Sequence, residues 1–164
     1  VLCDLTFADD WRSTLDRAVT KSRPLAIGFS VRNLDDTFFA SQDFVLEDTT
    51  EMIRHVQRAT DAPIVLGGIG FSCAPTASLA YTGANYGIMG DGENAFADLL
   101  DCLVSNRPVD VVAGLVYRVD GGRVVMNPPR AIESDSLPAP SRRLADNVRY
   151  YAEGGQAGDR KSVV

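Results

Sequence analysis

Two lysines (Lys21 and Lys161), one histidine (His55) and three cysteines (Cys3, Cys73 and Cys102) are all that 164 residues offer of the side chains most used in covalent and metal chemistry. The cysteines are odd in number and too far apart for a CxxC, CxxxCxxC or zinc-ligand spacing, which excludes a disulfide framework and a zinc module. They are expected to be reduced and buried. His55 falls mid-helix between Arg54 and Val56, away from any strand end, and reads as a surface or half-buried structural residue. Ser30 and Ser72 have no histidine and carboxylate arranged around them, and no G-x-S-x-G elbow occurs, so nucleophilic catalysis finds no support. Positive charge is scarce too: 16 basic against 22 acidic residues give −6, with arginines scattered rather than striped, which argues against a nucleic-acid partner. No apolar run approaches the roughly 18 residues of a spanning helix, and no charged-then-apolar leader is seen, so a cytoplasmic rather than membrane or secreted setting is expected.

What is present is a globular pattern. A chain of 164 residues is one ordinary domain that buries roughly 70% of its unfolded surface. Residues 1–7, VLCDLTF, are apolar and β-prone apart from Asp4, and read as a strand that the chain enters without a lead-in, as if cut. Asp9 and Asp10 then offer N-caps, and Trp11, Leu15, Ala18 and Val19 lie on one face of a helix ending near Ser22, before Arg23 and Pro24. Trp11 reads as a core anchor. Residues 25–30, LAIGFS, form a second buried strand, followed by an abruptly polar loop. Asp48 with Glu51 three residues on predicts a helix start, with Met52, Ile53 and Val56 on its buried side. Residues 62–66 are a third strand ending on Gly67 and Gly68. Pro75 opens a short helix that Gly83 closes. Residues 86–89 are a fourth strand, and Phe96, Leu99, Leu100 and Leu103 mark the helix after it.

Strands alternating with helices imply a parallel sheet covered on both faces. After Pro108 the period changes: residues 111–119 and 123–126 are β-rich and flank Asp120, Gly121 and Gly122, a hairpin signal. From Asn127 onward Pro128, Pro129, Pro138 and Pro140 give a linker. The expected division is residues 1–126 as the α/β domain, 127–158 as linker, and 159–164, which read as a translated library adapter, as a non-native tail.

Three polar segments directly follow strands: residues 30–36, 67–72 and 90–93. In a doubly wound sheet all three land on one edge, where such folds present their ligand crevice. Singly, each has a bland reading. Residues 90–93 could be a tight turn into a helix whose first-turn acids suit the dipole, and the glycine pair could mark a bend or close helix packing. Asp35 and Asp36 suggest a magnesium or receiver-type phosphoacceptor site, but that needs a lysine at the last parallel strand, and neither lysine is there. Together, Gly67 and Gly68 offer bare backbone against which a bulky ligand could lie.

SVRNLDD after one strand, APIVLGGIGFS around the next, YGIMGDGE after the fourth, then an AGLVYR-DGG hairpin and a proline linker, resemble the amino-terminal cobalamin-binding domain of radical S-adenosylmethionine enzymes. The resemblance implies a flavodoxin-like or Rossmann-like α/β fold, a three-layer parallel sheet whose first strand is missing, ending in a β-hairpin and proline-rich linker. It implies cobalamin across the carboxyl strand ends, with its nucleotide tail running into the domain. Ser30, Val31, Arg32 and Asn33 match the loop that contacts the corrin and tail. Gly67, Gly68, Ile69, Gly70 and Ser72 match the segment that admits the tail, and Gly90, Asp91, Gly92 and Glu93 match a GEGE-like turn, with Asp91 a departure. No D-x-H-x-x-G loop occurs, and the CxxxCxxC of the iron-sulfur cluster would follow Gly158. The resemblance implies a parent that binds a 4Fe-4S cluster and S-adenosylmethionine in a barrel on the same chain and is a methyltransferase or a relative running another rearrangement; this chain alone is expected to have no catalytic residue. In the family's strand order, 2-1-3-4-5, residues 1–7 and 25–30 would either pair directly or leave a gap. The alternative is a cofactor-free, flavodoxin-like interaction or substrate-recognition domain.

Overall fold

In the computed structural model, residues 1–36, 40–41 and 43–131 are described, with 137, 139, 143, 146 and 148–150. The expected tail at 159–164 lies outside the described residues.

Helix α1 (Trp11–Ser22) begins where its cap dictates: the Asp10 carboxylate accepts hydrogen bonds from the backbone N–H groups of Arg12 and Ser13. It stops at Arg23, whose left-handed backbone (φ 45) returns its N–H to the Val19 carbonyl before Pro24 forbids another turn. Residues 1–7 do not form the expected strand. The Asp4 carboxylate accepts from the Thr6 N–H at 3.0 Å and Ala8 N–H donates to the Leu5 carbonyl at 3.1 Å. That local turn satisfies backbone groups which a strand would have needed a neighbour to satisfy. Cys3 and Leu5 still pack, half-buried, against the core.

Strands β1 (Ile27–Ser30), β2 (Ile64–Gly67) and β3 (Tyr86–Ile88) pair in parallel, in chain order, and β4 (Leu115–Arg118) and β5 (Val124–Met126) extend the sheet antiparallel. The sheet is thus mixed, three parallel strands plus a hairpin, and β1 is its edge. Because residues 1–7 supply no strand, neither direct pairing with β1 nor a gap between two strands is realised. Helix α2 (Val45–Ala59) starts three residues before the expected Asp48: Glu47 and Asp48 sit in its first turn, where acids suit the dipole, and Glu51 instead forms an ion pair with Arg12 of α1. Helix α4 (Pro75–Thr82) is bracketed as expected by Pro75 and by Gly83, at φ 73. Between β2 and α4 lies an unexpected short helix, α3 (Ile69–Cys73).

Alternation along β2 separates two cores. Ile64 and Leu66 join Leu15, Ile53, Val56, Phe71 and Leu79 on the side of α1, α2 and α4. Val65 faces Leu99 and Cys102 of α5 (Glu93–Val104) on the other. A central strand covered on both faces reads as a continuous apolar run, which is why Ile64, Val65 and Leu66 are all buried. Strand β1 is covered on one face only: Ile27 and Phe29 pack on the first core, while Gly28 and Ser30 are exposed. Trp11 is half-buried against that core as expected. His55 is half-buried on α2, its Nε2 2.8 Å from Asp16 Oδ1 and its ring edge-on to Trp11.

Of the cysteines, Cys102 is buried and Cys3 intermediate, but Cys73, the last residue of α3, is exposed, contrary to expectation. All three are free. After β5 the chain remains tied to the hairpin: Asn127 N–H donates to the Leu115 carbonyl at 2.8 Å, its side-chain amide to the Val112 carbonyl at 2.8 Å, and Gly114 N–H to the Pro128 carbonyl at 3.0 Å. Further on, Tyr150 closes a contact with the first residues. Its hydroxyl donates to Asp4 Oδ2 at 2.7 Å, and its ring meets Phe7 edge-on at 4.7 Å.

That contact carries a pH dependence. Burial alone would raise the Asp4 carboxyl, but hydrogen bonds from Tyr150 and Thr6, with the Arg149 charge, together hold it below the ordinary value. Burial pushes the Tyr150 phenol up, as does the neighbouring Asp4 charge. A lowered acid stabilises the folded contact above its ordinary pKa, so this contribution is lost as pH falls through the lowered Asp4 value. A raised phenol contributes below about pH 10, and that share is lost as pH rises through the raised value. Tyr150→Phe is therefore expected to move the Asp4 carboxyl midpoint upward, read from the side-chain carbon resonance; an unmoved midpoint would show that the hydroxyl does not hold it. Among the described residues no helix is long and apolar enough to cross a membrane.

Candidate functional site

All three parallel strands end on one rim, at Ser30, Gly67 and Ile88. Ser30 and Gly67 are the last paired residues of β1 and β2, whereas β2 and β3 pair only as far as Leu66 and Gly87. Beyond that point the loops diverge. A groove of about 470 Å³ opens there, over the uncovered face of β1 and the carboxyl end of β2, walled by the start of α5, a size in the ordinary range for ligand sites.

The floor is made by glycines. A β-carbon built on Gly28 or on Gly67 would meet nothing within 4 Å, so backbone is presented bare to the groove. Gly68 and Gly70 have a different reason to be glycine. A β-carbon on Gly68 (φ +92) would lie 2.6 Å from the Val31 carbonyl oxygen, and one on Gly70 would lie 2.9 Å from the Arg32 backbone. They let the loops after β1 and β2 touch, fastened by Val31 N–H to the Gly67 carbonyl at 2.8 Å and Gly70 N–H to the Val31 carbonyl at 2.9 Å.

Of the residues singled out in the sequence, Ser30, Gly67, Gly68, Gly90, Asp91, Gly92 and Glu93 line this groove. The others do not. Val31 is buried behind the rim; Arg32 and Asn33 are exposed, with their backbone against Gly70; Ile69, 71% exposed, stands on the rim at the start of α3. The Ser72 hydroxyl is taken up within the protein, donating to the Gly68 carbonyl and accepting from Gly90 N–H, each at 3.0 Å. Gly28, Phe29, Val65, Leu66, Ile88 and Phe96 complete the lining. Gly28 carried a usable signal, since glycine inside a strand marks a bend or close approach. Phe96 fits a helix core face equally well and carried none.

Chemically the lining is neutral to acidic, with Asp91 and Glu93 and no basic side chain. Asp36 is engaged locally, its N–H with the Asp43 carbonyl and its carboxylate with the Ser41 hydroxyl, and no group of three potential metal ligands occurs among the described residues. A second hollow of about 460 Å³, near Asp4, Asp10 and Arg149, is lined mostly by charged and hydroxyl side chains and contains no glycine.

Residues 1–100 match the family model described as the B12 binding domain. The chain belongs to the B12-binding domain family. Its sequence is 38% identical over 139 residues to the tryptophan 2-C-methyltransferase of Streptomyces laurentii, covering 83% of this chain and 23% of that protein. Among solved structures it is similar to the radical S-adenosylmethionine methyltransferase TsrM from Kitasatospora setae with cobalamin and a 4Fe-4S cluster bound (TM-score 0.72, 33% identity, 82% of this chain and 24% of that one). The same enzyme with tryptophan and an S-adenosylmethionine analogue gives a TM-score of 0.77 at 30% identity, over 92% of this chain and 30% of that one. The cobalamin-dependent radical enzyme OxsB, at 20% identity and a TM-score of 0.63 over 79% of this chain and 17% of that one, shares the fold. This B12-binding domain therefore spans about a quarter of the length of the relatives it matches.

Proposed function

We propose that this chain is the cobalamin-binding module of a cytoplasmic radical S-adenosylmethionine methyltransferase or a close relative, and that the groove beneath the rim takes one arm of the corrinoid. The observation that carries this reading is the floor: Gly28 and Gly67, open above both β-carbon positions, lie under a rim walled by Gly90 to Glu93. The residues present fit the group. A groove of about 470 Å³ is too small for the whole cofactor and suits an extended arm, leaving the broad ring at the rim, where Ile69 is exposed. When bound, the corrinoid supplies methyl transfer or a related radical reaction, run in the remainder of the parent chain.

This chain's own residues bind and orient. The Ser30 hydroxyl, at the last paired position of β1, can donate to or accept from the amide-bearing periphery of such a ligand. Val65, Ile88 and Phe96 exclude water from the lower groove, and the division proposed is a binding domain to about residue 126, followed by a linker toward the barrel. On this reading the groove's side chains bind and orient, and the chemistry is the cofactor's.

Titrating the purified chain with hydroxocobalamin, and in parallel with flavin mononucleotide, tests the reading. Saturable binding with a change in the visible corrin spectrum, and none with the flavin, is expected. A folded chain that leaves the corrin spectrum unchanged at any ratio would overturn it in favour of an interaction module.

A further inference from the structure

The rim is assembled from three segments, and among the described residues the hydrogen-bonded joint between the second and third is made by one side chain, Ser72. The loops after β1 and β2 are joined backbone to backbone, by Val31 with Gly67 and Gly70. Among the described residues no backbone hydrogen bond joins the loops after β2 and β3, whose strands pair as far as Leu66 and Gly87. Across that divergence Ser72 spans the space. Its hydroxyl donates to the Gly68 carbonyl at 3.0 Å, in the same turn of α3, and accepts from the Gly90 N–H at 3.0 Å. One hydroxyl has one proton and two acceptor lone pairs, so both roles are filled at once with the proton directed to Gly68.

Gly90 is held from the other side by its neighbour. Met89 N–H donates to the Gly114 carbonyl at 2.9 Å, and the left-handed backbone of Gly90 (φ +84) turns the chain back toward α5. Met89 and Gly90 are therefore held from two sides, by Gly114 just before β4 and by Ser72. Without the Ser72 hydroxyl the Gly114 bond remains, and residues 90–93, which form one wall of the groove, lose their hydrogen bond to the segment after β2.

We propose that Ser72 is a positioning residue: a clasp that sets the separation of the Gly68 and Gly90 loops, and with it the width of the groove, without touching the ligand itself. The part concerning ligand affinity rests on the corrinoid reading above; the clasp does not.

Ser72→Ala and Ser72→Thr in this chain test it, with far-UV circular dichroism establishing that both fold. The first readout is hydrogen exchange of the Gly90 amide. Alanine is expected to speed it roughly five- to tenfold, as loss of one hydrogen bond entails, and threonine, which keeps the hydroxyl, to restore protection. The second readout is hydroxocobalamin affinity, expected to fall about tenfold with alanine and to recover with threonine. Unchanged Gly90 exchange in Ser72→Ala overturns the clasp. Lost affinity without changed exchange also overturns it, because Ser72 would then be touching the ligand directly. Faster exchange with unaltered affinity overturns the claim that the clasp sets the groove. If the unmodified chain fails to bind hydroxocobalamin while Gly90 exchange responds as expected, the corrinoid reading falls and the clasp stands.

Discussion

Gly28→Leu is expected to reduce hydroxocobalamin affinity at least a hundredfold while leaving the protein folded. The side chain would project from the uncovered face of β1 into the lower groove, where a β-carbon meets nothing within 4 Å, so the branched tip occupies ligand space without displacing protein. Replacing glycine inside a strand also removes unfolded-state freedom, so the thermal midpoint should hold or rise by the equivalent of about 0.5 to 1 kcal/mol. A hundredfold loss corresponds to about 2.7 kcal/mol of binding free energy. The contrast is Gly68→Ala. There the new β-carbon would lie 2.6 Å from the Val31 carbonyl at φ +92, so it should destabilise the fold and impair binding only through that. Absorbance titration paired with thermal melts separates the two outcomes. Undiminished affinity in folded Gly28→Leu would mean that the groove does not hold the ligand.

The pair of variants also marks where sequence reasoning reached its limit. Elements with their own local signals were legible. Asp10 caps α1, Pro75 and Gly83 bracket α4, and the Ile64-Val65-Leu66 run is a strand buried on both faces. Convergence of the loops after β1, β2 and β3 followed from the alternation of strand and helix alone. Residues 1–7 misled because strand propensity has no force without a partner strand, and Asp4 offered a local turn instead. Helix α3 was invisible: five residues with a glycine among them show no periodicity. The sequence marked Gly67, Gly68 and Gly70 without separating those that face the groove from those that face a neighbouring loop. Which glycine faces open space and which faces a neighbouring loop depends on how two distant loops approach, and Gly68 and Gly70 lie against the Val31 and Arg32 backbone. The partners of the Ser72 hydroxyl, Gly68 and Gly90, the second 18 residues away along the chain, carried no sequence signal.

Gly87→Ala is expected to be among the most destabilising single-methyl changes in this chain, at about 3 kcal/mol, the upper end of overpacking, or roughly 6 to 12 °C in thermal midpoint. A β-carbon on Gly87 would lie 2.1 Å from Cζ of Phe71 and 2.7 Å from both adjoining ring carbons. Phe71 cannot retreat, being fully buried among Leu66, Leu79 and their neighbours. Phe71→Leu alone should cost about 1 to 2 kcal/mol for the lost ring atoms, but it vacates the space the methyl needs, so the double variant should be more stable than the sum of the singles by about 1 kcal/mol or more. Strict additivity in chemical denaturation would show that the ring is not what the methyl meets. The cycle bears on the site because Phe71 belongs to α3, between Gly68 and Ser72: its ring, seated on Gly87 of β3, roots in the core the same short helix whose hydroxyl holds the Gly90 loop. Gly87→Ala should therefore also speed exchange of the Gly90 amide, with β1 and Gly28 left unperturbed.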